Sequence, residues 1–546
     1  MIYKATVPAI PIPDTDLFSF LLESNEFNQS KDLNSPLNID GESGKSLSWN
    51  YIRQQSSLLA TGWKQNVGLS KGDTVAIFAP NQIDHAILYL SLLGAQCTIS
   101  PGNPAYTEAE FEHQITNCRA SALVTVAGLL PVLLNITDKI GLPRSKIFLF
   151  GDKQVEGCRP YHSIKGTTEV SAPIQGSRGD DVAFICYSSG TTGLAKGVML
   201  THGNFIAQIL QSVRVDPENE GDADDVILGF LPFYHIYGLT SLVFNAYYKV
   251  TPVIIMARYD LELLCQLVEK YKVTLASIVP PVAVHLAKAP IVTKYNLSSI
   301  RLIGCGAAPL SREHIEALAK RIPAKLVQGY GMTETTSGVI SQGVEGGVAG
   351  SIGILSPNME CKIINTEGKE VGDDQEGEFL FRGPSIMKGY YNNDKANAET
   401  FTTDGWMRTG DVGKYDSKSG EFFILDRIKE LIKFKGFQVA PAELEAILTG
   451  LDIVADCCVV GLYDESQATE IPRAYVVVQP NVEANEKTAK LINDYVTKNV
   501  TNYKKLRGGV KFVSAIPKSP SGKILRREVK EWLKEEQKQI AIRARL

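Results

Sequence analysis

From about residue 50 to 310, short runs rich in β-branched residues alternate with helix-length amphipathic stretches, and no other feature restricts the possible fold as strongly. Thr74-Val75-Ala76-Ile77-Phe78 predicts a buried strand closed by Pro80-Asn81, and residues 83–94 predict the helix that follows. Further strands are expected at 122–126, 146–150, 182–186, 226–231, 253–256 and 302–305, with another helix at Leu261–Tyr271. Apolar strands separated by crossover helices pair in parallel, bury both faces, and hold ligands beyond their carboxyl ends. After about Gly346 the texture changes to short strands with glycine turns, such as Glu378-Phe379-Leu380-Phe381-Arg382, so residues 346–426 are expected to form a β-rich subdomain. A second change falls near Asp426-Arg427-Ile428-Lys429. The chain of 546 residues exceeds one ordinary core. The expected architecture is α/β: a large N-terminal domain (1–428) of parallel-rich α/β subdomains plus the β-rich subdomain, and a small mobile α+β C-terminal domain (429–546).

Composition narrows the function by exclusion. Lys and Arg number 56 against 60 Asp and Glu, a balance that argues against a general nucleic-acid or anionic-membrane binder. No apolar run reaches the length of a membrane helix, and the N-terminus lacks the build of a secretory signal. The 9 cysteines include no Cys-x-x-Cys, and Cys457 and Cys458 are adjacent, which suits neither zinc nor an easy disulfide. Scattered histidines without a His-x-x-x-His pair make a zinc site unexpected.

The strongest local signal is Tyr187-Ser188-Ser189-Gly190-Thr191-Thr192-Gly193-Leu194-Ala195-Lys196-Gly197, following an expected strand. Glycines let backbone amides approach an anion, hydroxyls add donors, and Lys196 adds positive charge. It is not a Walker A loop, because Leu194 and Ala195 separate Gly193 from the lysine. Further blocks follow in order: Gln328-Gly329-Tyr330-Gly331-Met332-Thr333-Glu334, Gly405-Trp406-Met407-Arg408-Thr409-Gly410-Asp411, Asp426-Arg427-Ile428-Lys429-Glu430-Leu431-Ile432-Lys433-Phe434-Lys435-Gly436-Phe437-Gln438, and Pro517-Lys518-Ser519-Pro520-Ser521-Gly522-Lys523. This ordered set resembles the acyl-adenylate-forming superfamily almost end to end, with the 4-coumarate:CoA ligase-like and luciferase-like acyl-CoA synthetases nearest.

The resemblance implies two half-reactions: a carboxylate attacks the α-phosphate of ATP to give an acyl-adenylate, and the thiol of coenzyme A then displaces AMP. An anion approaching a polyanion needs cations, which the resemblance supplies as Lys523 and Mg²⁺, with Glu334 as the metal's carboxylate. It also implies ATP or AMP contacts at Ser188, Ser189, Gly190, Thr191, Thr192, Lys196, Gln328, Gly329, Tyr330, Thr333, Asp411 and Arg427. Lys429 matches the family's hinge; Lys433 and Gln438 serve the thioester step, and Arg258, Lys435 and Gly436 the coenzyme A path. His235 falls beside the acyl carboxylate, and Tyr237, Gly304, Ala307, Gly331, Ser337 and Gly338 line the acyl pocket. A lone lysine is more often solvated and a lone aromatic-flanked histidine more often a satisfied core residue; the ordered blocks are what reverse those readings.

Plant coumarate ligases commonly carry lysine where Gly304 stands and Pro-Val where Ser337-Gly338 stand, so a fatty or aryl-alkanoic acid is as compatible with the sequence as a cinnamate. The chain ends Ala544-Arg545-Leu546, a small-basic-leucine tripeptide of the type read by the peroxisomal import receptor, so a peroxisomal location is expected. Competing readings are a luciferase-like oxygenase or another adenylating enzyme with a different acceptor, a Ser-Ser-Lys amidase, and a catalytically silent binding protein on the same fold.

Overall fold

The computed structural model describes residues 1–188, 195–215, 224–308, 310, 312–435, 437–464, 467, 469–519 and 522–543. Ser189, Gly190, Thr191, Thr192, Gly436 and the Ala544-Arg545-Leu546 tripeptide lie outside them.

The alternating region builds two sheets. In the first, of eight strands, Thr74–Phe78 lies between Thr98–Gly102 and Ala120–Thr125, parallel to both. All of its side chains are buried, because the sheet is covered on both faces; the uninterrupted apolar run is the sequence mark of that position. The helix His85–Gly94 is likewise buried throughout. Val182–Ser188 runs parallel to Thr98–Gly102 and turns back as the antiparallel strand Lys196–Thr201.

The second sheet, of nine strands, carries Leu275–Ile278, Leu302–Cys305 and Lys325–Met332 side by side in parallel. The helix Leu261–Tyr271 covers it, opened by Asp260, whose carboxylate accepts from the Leu263 amide at 2.8 Å. Such a cap satisfies one of the N–H groups that a helix start leaves unpaired.

The β-rich region is a five-stranded antiparallel sheet of Ile2–Lys4, Glu360–Ile364, Gly377–Arg382, Met407–Asp416 and Glu421–Arg427. Two features differ from the expected 346–426 unit. Ile2–Lys4 joins it from the other end of the chain, held by the Met1 amino group against Glu370 at 2.6 Å. Gly389–Tyr390 leaves it to pair with Lys196–Thr201 in the first sheet, which carries Tyr390 to the phosphate loop.

In the C-terminal domain Thr469–Val478 is the central strand, antiparallel to Val454–Asp464 and parallel to Val510–Phe512, and the domain's helices are Pro441–Thr449, Glu486–Asn499 and Arg526–Arg543. It has its own cores: Cys457 points into one and Cys458 into another, as the alternation of a strand requires. All 9 cysteines are unpaired and buried. Near the domain junction, the Asp426 carboxylate accepts from the Ala442 amide at 2.9 Å, meeting the open first turn of Pro441–Thr449. Arg526 pairs with the buried Glu445, which also accepts from the Val459 amide at 2.8 Å. No helix among the described residues is long and apolar enough to cross a membrane.

Candidate active site

A cavity of about 880 Å³ opens where the two large sheets, the β-rich sheet and the C-terminal domain meet. Its phosphate side starts at the hairpin in which Ser188 and Lys196 are register partners. Ser188 Oγ donates to Glu334 Oε1 at 2.9 Å and Tyr390 OH donates to the same oxygen at 3.0 Å. Lys196 Nζ stands 4.3 Å from the centre of the Tyr390 ring, a cation–π contact that holds the ammonium at the cavity wall. Glu334 is buried, and Thr333 lines the cavity beside it.

The nucleoside side is built by long-range pairing. Asp411 and Arg427 are cross-strand partners, and Arg427 Nε meets Asp411 Oδ1 at 3.0 Å. Tyr330 OH donates to Asp411 Oδ2 at 2.5 Å. Burial and the adjacent Asp411 charge push the Tyr330 hydroxyl well above the usual phenol range, so it stays protonated and remains a donor. Gln328 fixes the neighbouring turn, its Oε1 accepting from the Leu310 amide at 2.9 Å, and Gly329 lines the wall. Gly331 has a steric cause: a Cβ there would fall 1.9 Å from the Ser337 carbonyl oxygen. The chain reverses at Thr336 and Ser337, with φ of 53° and 83°, and this bend brings Ser337 and Gly338 to the cavity.

The acyl side lies between Tyr237, Gly304 and Ala307. Tyr237 OH donates to the Gly304 carbonyl at 3.1 Å, and a Cβ on Gly304 would sit 3.6 Å from that hydroxyl. His235 Nδ1 accepts from the Tyr237 amide at 3.3 Å, which places the neutral ring's proton on Nε2 as a donor. Burial and the Lys523 charge push the His235 pKa down to about 4, so the ring is neutral at physiological pH.

Lys523 arrives from the C-terminal domain on a tight turn. The Ser519 amide donates to the Lys523 carbonyl at 2.8 Å, and the Lys523 amide donates to Ser519 Oγ at 3.2 Å. Gly522, at φ +79°, rests against the body: a Cβ there would lie 3.1 Å from Val279 Cγ2. Enclosure and then the Arg427 charge lower the Lys523 pKa to about 8, partly offset by Asp411 and Glu334. An adenylation step that needs this ammonium keeps it below about pH 8 and loses it as pH rises through that value. The kcat/KM for ATP in pyrophosphate exchange is therefore expected to fall above about pH 8. A profile flat to pH 10 contradicts that dependence.

The remaining expected residues stand elsewhere. Lys433 and Gln438 are register partners on a two-stranded ribbon and are exposed outside the cavity. The Lys433 amide donates to Glu470 at 2.8 Å, and its carbonyl accepts from Thr469 Oγ1 at 2.7 Å. Lys435 is exposed at φ 47° on the same ribbon, and Arg258 is exposed beyond the strand Val253–Ile255. Lys429 occupies the turn between Glu421–Arg427 and Ile432–Phe434, at the cavity mouth. Tyr390 is the functional neighbour that sequence reading missed; Lys388-Gly389-Tyr390 carries no spacing that marks it, and only the strand pairing does.

Residues 27–391 match the AMP-binding enzyme family and residues 443–523 the AMP-binding enzyme C-terminal domain; the chain belongs to this family. A 4-coumarate–CoA ligase of Pinus taeda is 38% identical over 544 residues, 97% of this chain and 98% of the relative. 4-Coumarate–CoA ligase 1 of Arabidopsis thaliana is 37% identical, covering 98% of this chain and 95% of its own. The crystal structure of ATP-bound MatB from Rhodopseudomonas palustris superposes with a TM-score of 0.84 at 25% identity, over 95% of this chain and 99% of that one. The protein is an ATP-using, AMP-forming acid–CoA ligase. That assignment removes the amidase and silent-binder alternatives.

Proposed function

We propose that the chain activates an aryl, cinnamate-like carboxylic acid as its acyl-adenylate and passes the acyl group to coenzyme A by turning its C-terminal domain about Lys429. The observation that carries this is the presence of Lys523 in one cavity with His235, Tyr237, Arg427 and the phosphate hairpin, while Lys433 and Gln438 face solvent. The whole-length likeness to 4-coumarate–CoA ligases supports the aryl acid.

In the adenylation orientation, Lys523 lies between the acid's carboxylate and the α-phosphate and offsets their mutual repulsion, while His235 Nε2–H orients the carboxylate. Asp411 accepts from the ribose hydroxyls, and Arg427 adds positive charge beside it. Both hydroxyl donors on Glu334 meet Oε1, so Oε2 is the oxygen suited to a hard cation. Glu334 would hold Mg²⁺ arriving with ATP, and the ion would neutralise phosphate charge. An ion held largely by phosphates and water needs few protein ligands. After rotation, Lys433 and Gln438 would face the adenylate, with Lys435 and Arg258 along the path of coenzyme A. We also propose peroxisomal delivery through Ala544-Arg545-Leu546; loss of import on removing the tripeptide tests it.

The test of the ligase reading is thioester formation with ATP, Mg²⁺, coenzyme A and a panel of cinnamates, benzoates and fatty acids. Cinnamoyl-CoA as the best product supports it. AMP release without thioester, or light emission with a luciferin, would replace coenzyme A by another acceptor.

A further inference from the structure

Tyr390 touches two opposite charges of the phosphate side with different parts of one side chain. Its hydroxyl donates to Glu334 Oε1 at 3.0 Å, and its ring face carries the Lys196 ammonium at 4.3 Å. The backbone beneath it is fixed from several directions. The Met387 amide donates to the Glu334 carbonyl at 2.9 Å, which ties this segment to the metal carboxylate's own main chain. The Lys388 amide donates to the Met199 carbonyl at 2.9 Å and the Tyr391 amide to the Gly197 carbonyl at 2.7 Å, which ties it to the strand that begins at Lys196. Tyr390 itself faces Val198 in that register. Its amide and carbonyl are both met by Asn397, which accepts at 2.6 Å and donates at 3.0 Å. The side chain is 6% exposed, so the ring has little room to swing away.

This mount bears on an electrostatic problem. Opposite charges in an enclosed cavity attract strongly, and an ion pair recovers part of what their desolvation costs. Lys196 and Glu334 line the same cavity, yet among the described residues no ion pair joins them. Such a pair would have to be broken each time a nucleotide entered. Tyr390 instead gives each charge a partner of its own. The carboxylate takes a hydroxyl, and the ammonium takes a ring face, which a phosphate displaces more readily than it would a carboxylate. Ser188 and Tyr390 both donate to Oε1, and outer donors of this kind fix which carboxylate oxygen is presented to a metal.

Resting on the reading of Glu334 as the carboxylate that meets Mg²⁺, we propose that Tyr390 is a positioning residue that keeps Lys196 and Glu334 apart until ATP arrives. The ammonium then remains available to phosphate and the carboxylate to the metal. The two roles sit on separable atoms: the hydroxyl acts on Glu334 and the ring on Lys196. Phenylalanine removes the first alone, and leucine removes both.

The experiment is calorimetric titration of the full-length protein with ATP in the absence of any acid, once with EDTA and once with saturating Mg²⁺. It yields the metal-free affinity and the factor by which Mg²⁺ tightens binding. In Tyr390→Phe that factor is expected to fall about tenfold while the metal-free affinity stays within about twofold. In Tyr390→Leu the metal-free affinity should fall as well, by about fivefold, because Lys196 then closes on Glu334. Adding Glu334→Gln to Tyr390→Leu should abolish that second fall, since no carboxylate remains to capture the lysine. A residue that only filled space would give neither the split in Tyr390→Phe nor the rescue. An unchanged factor in Tyr390→Phe would overturn the proposal, as would equal metal-free affinity in the phenylalanine and leucine variants or a fall that persists in the double variant. The single variant Glu334→Gln separates the two levels of the argument. A factor lost there but kept in Tyr390→Phe defeats this inference alone, whereas a factor unchanged in Glu334→Gln overturns the reading of Glu334 and this inference with it.

Discussion

Lys523→Ala is expected to lower acyl-adenylate formation by about 10²–10³-fold while thioester formation from supplied acyl-adenylate keeps most of its rate. The expectation follows from charge. Two anions must meet at one phosphorus, and the C-terminal domain brings Lys523 to the cavity from outside the body, while Lys518 beside it is paired with Asp456. Its ammonium sits close enough to Arg427, Asp411 and Glu334 for their charges to move its pKa, so its removal is felt across the phosphate site. The turn that carries it is held by backbone and Ser519 contacts, so the substitution leaves the turn's hydrogen bonds in place. ATP–pyrophosphate exchange reads the first half-reaction and coenzyme A consumption with synthetic acyl-adenylate reads the second. Equal loss of both would contradict the assigned division of labour.

Lys433→Ala is expected to do the reverse, lowering thioester formation by about 10²-fold with adenylation close to unchanged. In the present orientation the Lys433 side chain is exposed, and its anchoring contacts use its backbone amide and carbonyl, which alanine keeps. Folding should therefore be disturbed by no more than about 0.5 kcal/mol, the usual range for surface changes. A fall in pyrophosphate exchange as large as the fall in thioester formation would show that Lys433 acts without leaving solvent.

Much of the body was legible because its signals are local. The helix Leu261–Tyr271 lies at its expected bounds, and Thr74–Phe78 is the buried strand that its unbroken apolar run predicts. The motif blocks likewise named Tyr330, Asp411 and Arg427. That these three join through one carboxylate is a matter of strand register between distant segments, which no local pattern encodes. Ile2–Lys4 was not legible because three residues of mixed polarity carry no period; pairing with Glu360–Ile364 defines the strand.

The account depends on the C-terminal domain occupying two orientations in turn, one for each half-reaction. Residue 522 touches residue 279 of the body in the orientation described, and the native cysteines are all buried, so a Gly522→Cys/Val279→Cys pair can be cross-linked selectively. The decisive measurement is both half-reactions before and after oxidation of that pair, and again after reduction. Retained pyrophosphate exchange with thioester formation abolished by oxidation and restored by reduction is the predicted result. Undiminished thioester formation by the fully cross-linked protein would contradict the account.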